Sequence, residues 1–419
     1  MFLLALHTLA VLAAVLGLAA AARRAAAALR QPGVLGEMAA GLLAGPLLLA
    51  LLGPAATAAV LPPGVLTVLR LVAKAALVLY VVGLAYGLRR DRSGTGPRAL
   101  GWVAAGGLVP GMCAGAALAL WIIVDGDPAL RGTAPTAAFV LYVGVALAIT
   151  SVPVLARILA DRGLAQARVG RLSLSSAILI DAVGWLVLAL AVGLLAGDSG
   201  RFVQALALLG GGGLAALGLR RALGAAPARR FAAGRPLAAA VALAAAGFAA
   251  GLAMEWGGQS AILGAAVVGL ALPADCPAWS AAVARVGAPG RALVPAFFVV
   301  TGLALLDGAH GAPSWALLSG TLLLAMGAKV GGGYLGARRA GEERADALRV
   351  GVLMNSRGLT ELIVLQVGYE AGLMSGRLYL VLVVMALLTT AVTGPLLSAV
   401  TAVQRRRPAW FGALAGATP

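Results

Sequence analysis

The run from Arg171 to Asp198, RLSLSSAILIDAVGWLVLALAVGLLAGD, holds a single charge between its two ends, that of Asp181. At about 1.5 Å per residue, a helix entered at Arg171 carries Asp181 roughly 15 Å into a hydrocarbon core about 30 Å thick, close to the midplane. An acid there is costly. Ionisable groups at membrane depth face a bundle interior or a wet cavity and mark ion or proton paths, so the stretch reads as a transmembrane helix with a transport site in it. A structural acid satisfied by neighbouring hydroxyls is the other reading of the same pattern.

The rest of the chain fits that reading. Of 419 residues 61% are hydrophobic and 11% are charged, with a mean hydropathy of +0.99, a balance that would leave a soluble domain with a vast exposed apolar surface. The net charge of +17 does not point to nucleic acid, because the arginines punctuate apolar stretches and form no continuous basic face. Two cysteines, Cys113 and Cys276, and two histidines, His7 and His310, exclude a disulfide framework and a zinc site. No cofactor is expected.

Cutting at charged or turn-rich punctuation predicts about thirteen apolar helices. They cover about residues 2–22, 33–53, 64–88, 98–124, 135–160, 170–197, 202–221, 237–254, 257–273, 291–307, 313–337, 347–369 and 378–401. Most of the 32 basic residues fall in alternate loops, among them Arg89, Arg90, Arg229, Arg230, Arg338 and Arg405. Only Arg131, Arg201 and Arg377 lie in loops on the opposite side. The positive-inside rule then places the amino terminus outside and the carboxy terminus in the cytoplasm, which requires an odd number of spans. The first stretch lacks a positive amino-terminal flank, so it is expected to be a retained helix and not a cleaved signal peptide. Residues 402–419 read as a short cytoplasmic tail with no room for a soluble regulatory domain.

The chain also resembles itself. Leu79-Tyr80-Val81-Val82-Gly83-Leu84 returns loosely as Phe298-Val299-Val300-Thr301-Gly302-Leu303, and the helix end at Gly45-Pro46 has a counterpart at Leu272-Pro273. Six helices, a linker and six more would be oppositely oriented, as in inverted-repeat transporters. Two interruptions at corresponding places support this. Thr150-Ser151-Val152-Pro153 breaks the fifth stretch, since proline removes an amide donor and disfavours the preceding turn. Asn355-Ser356-Arg357-Gly358 interrupts the twelfth. Broken backbone at membrane depth is tolerated where it lines a cavity or is buried in protein, and its freed carbonyls can coordinate cations. An ordinary proline kink and a polar helix contact would give the same spacing.

Lys329 and Lys74 are the only lysines. Lys329 stands about 13 Å inside an apolar stretch, measured back from Arg338. Buried lysine can release a proton where arginine stays charged; a fixed cation neutralising Asp181 or Glu361 is the alternative. Arg70 and Lys74, one turn apart near a helix start, read as snorkelling side chains. Arg357 and Glu361 are four apart and form an internal ion pair if that turn is helical. Glu37 is a candidate for the access route.

Several ordered motifs resemble the monovalent cation:proton antiporter-2 family. Met354-Asn355-Ser356-Arg357-Gly358-Leu359-Thr360-Glu361 with Thr389-Thr390 and Thr393-Gly394-Pro395 is similar to its last two helices, and Thr150-Ser151-Val152-Pro153-Val154-Leu155-Ala156-Arg157 to its first interrupted helix. Gln31-Pro32, Gly36-Glu37 and Gly45-Pro46 match an early motif, and Phe297-Phe298 with Thr301-Gly302-Leu303 a later one. The resemblance spans about residues 31–401. It implies an all-α sodium/proton-antiporter fold with two crossing discontinuous helices near Asp181. A core transport unit (about 98–197 and 313–401) would move against a scaffold and homodimer unit (about 1–90 and 237–307), joined by a linker helix (about 202–221). The chain departs from the family at Ile180, where many members carry a first acid before the one matching Asp181, and at Ser260, which replaces a histidine.

The expected function is a secondary active antiporter, not an enzyme, exchanging sodium or potassium for protons across a bacterial-type inner (cytoplasmic) membrane. A proton and a transiently bound cation would compete for Asp181, with Thr150, Ser151, exposed carbonyls and water as hard oxygen ligands. Lys329, Arg357 and Glu361 supply the core charges, and Pro153, Asn355 and Gly358 the breaks. A channel-like potassium efflux protein and a transport-inactive sensor or assembly subunit on the same scaffold are the competing readings.

Overall fold

A computed structural model describes residues 2–29, 31, 33–90, 96–125, 127, 130–197, 200–273, 276–304 and 314–405. Pro32, His310 and most of the expected tail lie outside them. Sixteen helices account for nearly all of the described chain. Ten are long and apolar enough to cross a membrane, as the hydropathy pattern requires.

One group packs α1 (Phe2–Ala28), α2 (Gly33–Val60), α3 (Pro63–Arg90), α10 (Pro236–Trp256), α11 (Ala261–Ala271) and α12 (Pro277–Ala304) against one another. A second packs α4 (Pro97–Asp125), α5 (Thr136–Ala148), α6 (Val152–Asp161), α7 (Arg168–Ala196), α13 (Trp315–Arg339), α14 (Arg344–Met354), α15 (Leu359–Glu370) and α16 (Gly376–Arg405). Between them α8 (Gly200–Gly224) touches both α7 and α11, and the short α9 (Ala226–Gly234) follows it.

Lipid tails are as apolar as leucine, so helices in this setting associate through close backbone approach and interhelical hydrogen bonds. The α4–α13 crossing illustrates it. A Cβ on Gly106 would stand 2.4 Å from the Gly332 carbonyl oxygen, and one on Gly332 would stand 2.2 Å from the Gly106 carbonyl oxygen. Neither helix accepts a side chain there without moving apart.

The expected stretches meet these helices with four differences. The fifth (135–160) and twelfth (347–369) are each two helices separated by the anticipated breaks. The tenth begins at Pro277 and not near 291, since Arg285, Pro289 and Gly290, which read as punctuation, are absorbed into one helix. The ninth is an 11-residue helix, too short to span a bilayer alone. Last, α9 was not anticipated, because its nine residues carry two arginines and no apolar run.

Candidate functional site

Both breaks form for local reasons. α5 ends where the Ile149 N–H returns to the Val145 carbonyl, and the chain leaves the helix, extended at Ile149 and again at Ser151, before Pro153 enters the first turn of α6. Proline is tolerated there because an N–H at that position would lack a partner anyway. It also deprives the Ile149 carbonyl of its helical donor, and among the described residues the carbonyls of Ile149 and Thr150 accept no hydrogen bond. At the second break Gly358 has φ 137°, a conformation that L side chains rarely adopt. A Cβ there would also sit 2.7 Å from Met38 Cε and 3.0 Å from Val154.

The two breaks are joined directly. The Ser151 N–H donates to the Ser356 carbonyl at 3.0 Å, and the Thr150 hydroxyl donates to the Met354 carbonyl at 3.1 Å. The freed carbonyls at the end of α5 are held by two cations from the other half of the chain. Arg357 donates to the Ala146 and Leu147 carbonyls at 3.0 and 2.6 Å, while Lys329 donates to the Ala148 and Gly107 carbonyls and to the Thr150 hydroxyl. Positive charge at a helix carboxy terminus opposes the negative end of its dipole. Arg357 also pairs with Glu361 at 2.8 Å, both side chains fully buried. Lys329 makes no ion pair with Asp181 or Glu361.

Behind the second break stands a column of threonines on α16. Thr390 accepts from the Arg357 N–H and donates to its carbonyl, at 2.9 and 3.0 Å. Asn355 donates to the Thr389 carbonyl and the Thr393 hydroxyl. Thr389 and Thr393 stand one turn apart with Thr390 beside Thr389, a group of hydroxyls in an apolar helix that the sequence marks without showing what they face.

Asp181 is 1% exposed, and neither of its carboxylate oxygens has a hydrogen-bond partner. It lies on α7 between two close contacts. A Cβ on Gly107 would meet Ile180 Cδ1 at 2.7 Å, and one on Gly184 would meet Ile149 Cγ1 at 2.9 Å. Gly184 is one turn from Asp181, so the stretch of α7 that carries the acid packs on Ile149, the residue preceding the first break. The Ser151 hydroxyl is buried and unpartnered, as are those of Ser173 and Ser176 on α7. The hydroxyls of Thr150 and Ser151 therefore differ: the first is engaged by Lys329 and the Met354 carbonyl, the second is free.

Glu37 lies elsewhere. On α2 and 2% exposed, it bonds Arg157 of α6 at 3.2 Å and faces Arg23 of α1 at 3.6 Å. The neighbouring Gly33 N–H donates to Asp161 at 2.9 Å. A cavity of about 840 Å³ occupies the opposite approach between the two helix groups, lined by Lys74, Glu255, Gln259, Ser260, Phe297 and, one turn from Asp181, Trp185. Lys74 is paired with Glu255, and Ser260 caps α11 by accepting from the Ile262 N–H.

Residues 10–403 match the family described as sodium/hydrogen exchanger, transmembrane. The chain belongs to that family. It is 34% identical over 391 residues to cation/H(+) antiporter 18 of Arabidopsis thaliana, covering 90% of this chain and 47% of the relative. It thus spans about half the length of that plant relative. Na(+)/H(+) antiporter NhaS4 of Synechocystis sp. is 30% identical over 382 residues, covering 88% of this family member and 90% of NhaS4. The sodium proton antiporter MjNhaP1 from Methanocaldococcus jannaschii is similar in fold, with a TM-score of 0.65 at 17% identity over 93% of this chain and 94% of that one. The chain is accordingly an all-helical, multi-pass membrane protein.

Proposed function

We propose that this sodium/hydrogen exchanger family member is a secondary active antiporter, exchanging sodium or potassium for protons by alternating access at Asp181. The observation that carries the reading is a buried carboxylate with both oxygens unpartnered, one turn along α7 from Gly184, which packs on Ile149 at the first break. Burial penalises the charged carboxylate, so the site is stable when neutralised by a proton or by a metal cation. The two compete, and competition couples their movement. Antiporter relatives and the likeness to MjNhaP1 support the reading.

The ligand set is narrower than the motif alone suggests. Hard monovalent cations take oxygen ligands, and the free oxygens near the first break are Asp181, the Ser151 hydroxyl and the Ile149 and Thr150 carbonyls. Thr150 acts from the second rank by holding Lys329. Lys329 and Arg357 are fixed charges that close off the end of α5 and leave Asp181 as the titrating group. Pro153, Asn355 and Gly358 set the breaks, and Glu361 anchors Arg357.

In this proposal α4–α7 and α13–α16 form the transport core, α1–α3 and α10–α12 the scaffold and homodimer unit, and α8 the linker. Counting each broken pair once and leaving out the nine-residue α9 gives thirteen segments arranged as an inverted repeat. The amino terminus is outside an inner (cytoplasmic) membrane and the carboxy terminus inside. The cavity at Trp185 is then the outward approach, and the Glu37–Arg157 pair closes the inward one. Purified protein in liposomes under an imposed pH gradient, with sodium, potassium and lithium supplied separately, tests the assignment. Coupled counterflow supports it; uncoupled conductance or no flux overturns it.

A further inference from the structure

The end of α8 and the segment joining it to α10 carry Arg220, Arg221, Arg229, Arg230 and Arg235, and no acid occurs between Asp198 and Glu255. Among the described residues none of these five arginines is in an ion pair. Four are exposed and Arg220 is half-buried. Such a concentration of like charge repels itself unless a counter-charge sits among it.

The segment is held in place. Trp279 of α12 donates its indole N–H to the Leu223 carbonyl at 3.1 Å, and Ala228 and Ala232 of α9 pack on the hydrophobic core. α9 therefore lies fixed against α8, α10 and α12 with Arg229, Arg230 and Phe231 turned outward. A recess of about 490 Å³ at its foot is lined by Leu217, Arg220, Arg221, Gly224 and Ala225. Exposed Leu214 and Leu217 lead away from it along α8, and exposed Leu237 and Val241 along α10.

We propose that this surface binds an anionic phospholipid, its phosphate among Arg220, Arg221 and Arg229 and its acyl chains along the leucines of α8 and α10. Arginine forks match phosphate oxygens, and a short amphipathic helix with a basic outer face lies naturally in the headgroup layer. The apolar strips distinguish a lipid from a free phosphate. Each arginine near a membrane surface contributes about fivefold in affinity for anionic lipid, so losing two weakens it about thirtyfold.

Native mass spectrometry of the purified full chain in phosphatidylcholine nanodiscs doped with phosphatidylglycerol tests this. The wild type should retain phosphatidylglycerol selectively, and Arg220→Gln/Arg221→Gln should lose it about thirtyfold. Arg24→Gln/Arg98→Gln, with the same change in charge on exposed arginines elsewhere, should not. If the first pair fails to fold, Arg229→Gln, which removes the third phosphate-binding arginine at an exposed position, should weaken retention about fivefold. Equal losses from site and control pairs would reduce the effect to bulk charge, and undiminished retention in the site variants would remove it; either result overturns the proposal. Competition by soluble glycerol phosphate at equal affinity also overturns it, in favour of a free-phosphate site.

Discussion

Replacing Arg357 with methionine tests whether the buried charges hold the two breaks together. The substitution keeps the unbranched stem but leaves Glu361 buried without its partner at 2.8 Å, and orphans the Ala146 and Leu147 carbonyls. Breaking a buried pair from one side costs about 3–5 kcal/mol, and each abandoned buried acceptor about 1–3 kcal/mol. These overlap, because the carbonyls share one donor and partly relax, so a net loss of about 5 kcal/mol is expected. At roughly 1–2 °C per kcal/mol for a chain of this size, the apparent melting temperature in detergent should fall by about 5–10 °C. The double variant Arg357→Met/Glu361→Leu removes the stranded acid as well and should recover about half of that loss, and since Glu361→Leu alone strands the Arg357 charge and is itself costly, the cycle should be strongly non-additive. Thermal unfolding followed by size-exclusion fluorescence reads all the variants. A melting temperature for Arg357→Met within 1–2 °C of wild type, or strict additivity in the cycle, would refute the reasoning.

Asp181→Asn should abolish coupled exchange in proteoliposomes without lowering the melting temperature, since neither carboxylate oxygen has a partner to lose; wild-type exchange by the inserted variant would defeat the assignment. Gly358→Ala should slow turnover and destabilise by about 1–3 kcal/mol from backbone strain, and Met38→Ala beside it should restore only the packing part; normal melting and rates in Gly358→Ala would count against the geometry. Exchange should be electroneutral, one cation for one proton, because Ile180 leaves Asp181 as the single acid of the usual pair and Lys329 is held by three oxygens. Clamping membrane potential while following cation-driven proton movement checks this, and a reversal condition of two protons per cation would make Lys329 a carrier.

Much of the site was legible because the residues that build it are anomalies in an apolar chain. A proline, a glycine after Arg357, one acid and one lysine each violate the local pattern, and a violation at membrane depth needs a reason. Long-range pairing was not legible. Arg357 and Glu361 pair at i,i+4, which spacing announces, yet the attachment of Arg357 to carbonyls of α5 spans 211 residues and leaves no mark in either segment, since any residue supplies a carbonyl. The same blindness concealed the Glu37–Arg157 pair and the division between Thr150 and Ser151, whose hydroxyls are alike in sequence and differ only in what surrounds them. The early start of α12 was missed for another reason: proline and glycine read as breaks, but within a packed bundle neighbouring helices override that preference.

The end of α5 has a consequence for biosynthesis. Its last carbonyls wait for Lys329 and Arg357, separated from them by 181 and about 210 residues. At a synthesis rate of about 5–20 residues per second, that interval lasts on the order of ten to forty seconds. During it the first half of the chain has entered the membrane with a helix end that water or the translocation machinery must satisfy. Ribosome-tethered chains stopped before Lys329 should therefore leave Cys residues introduced at Ala146 and Ala148 open to aqueous thiol reagents, and chains released after Arg357 should close them.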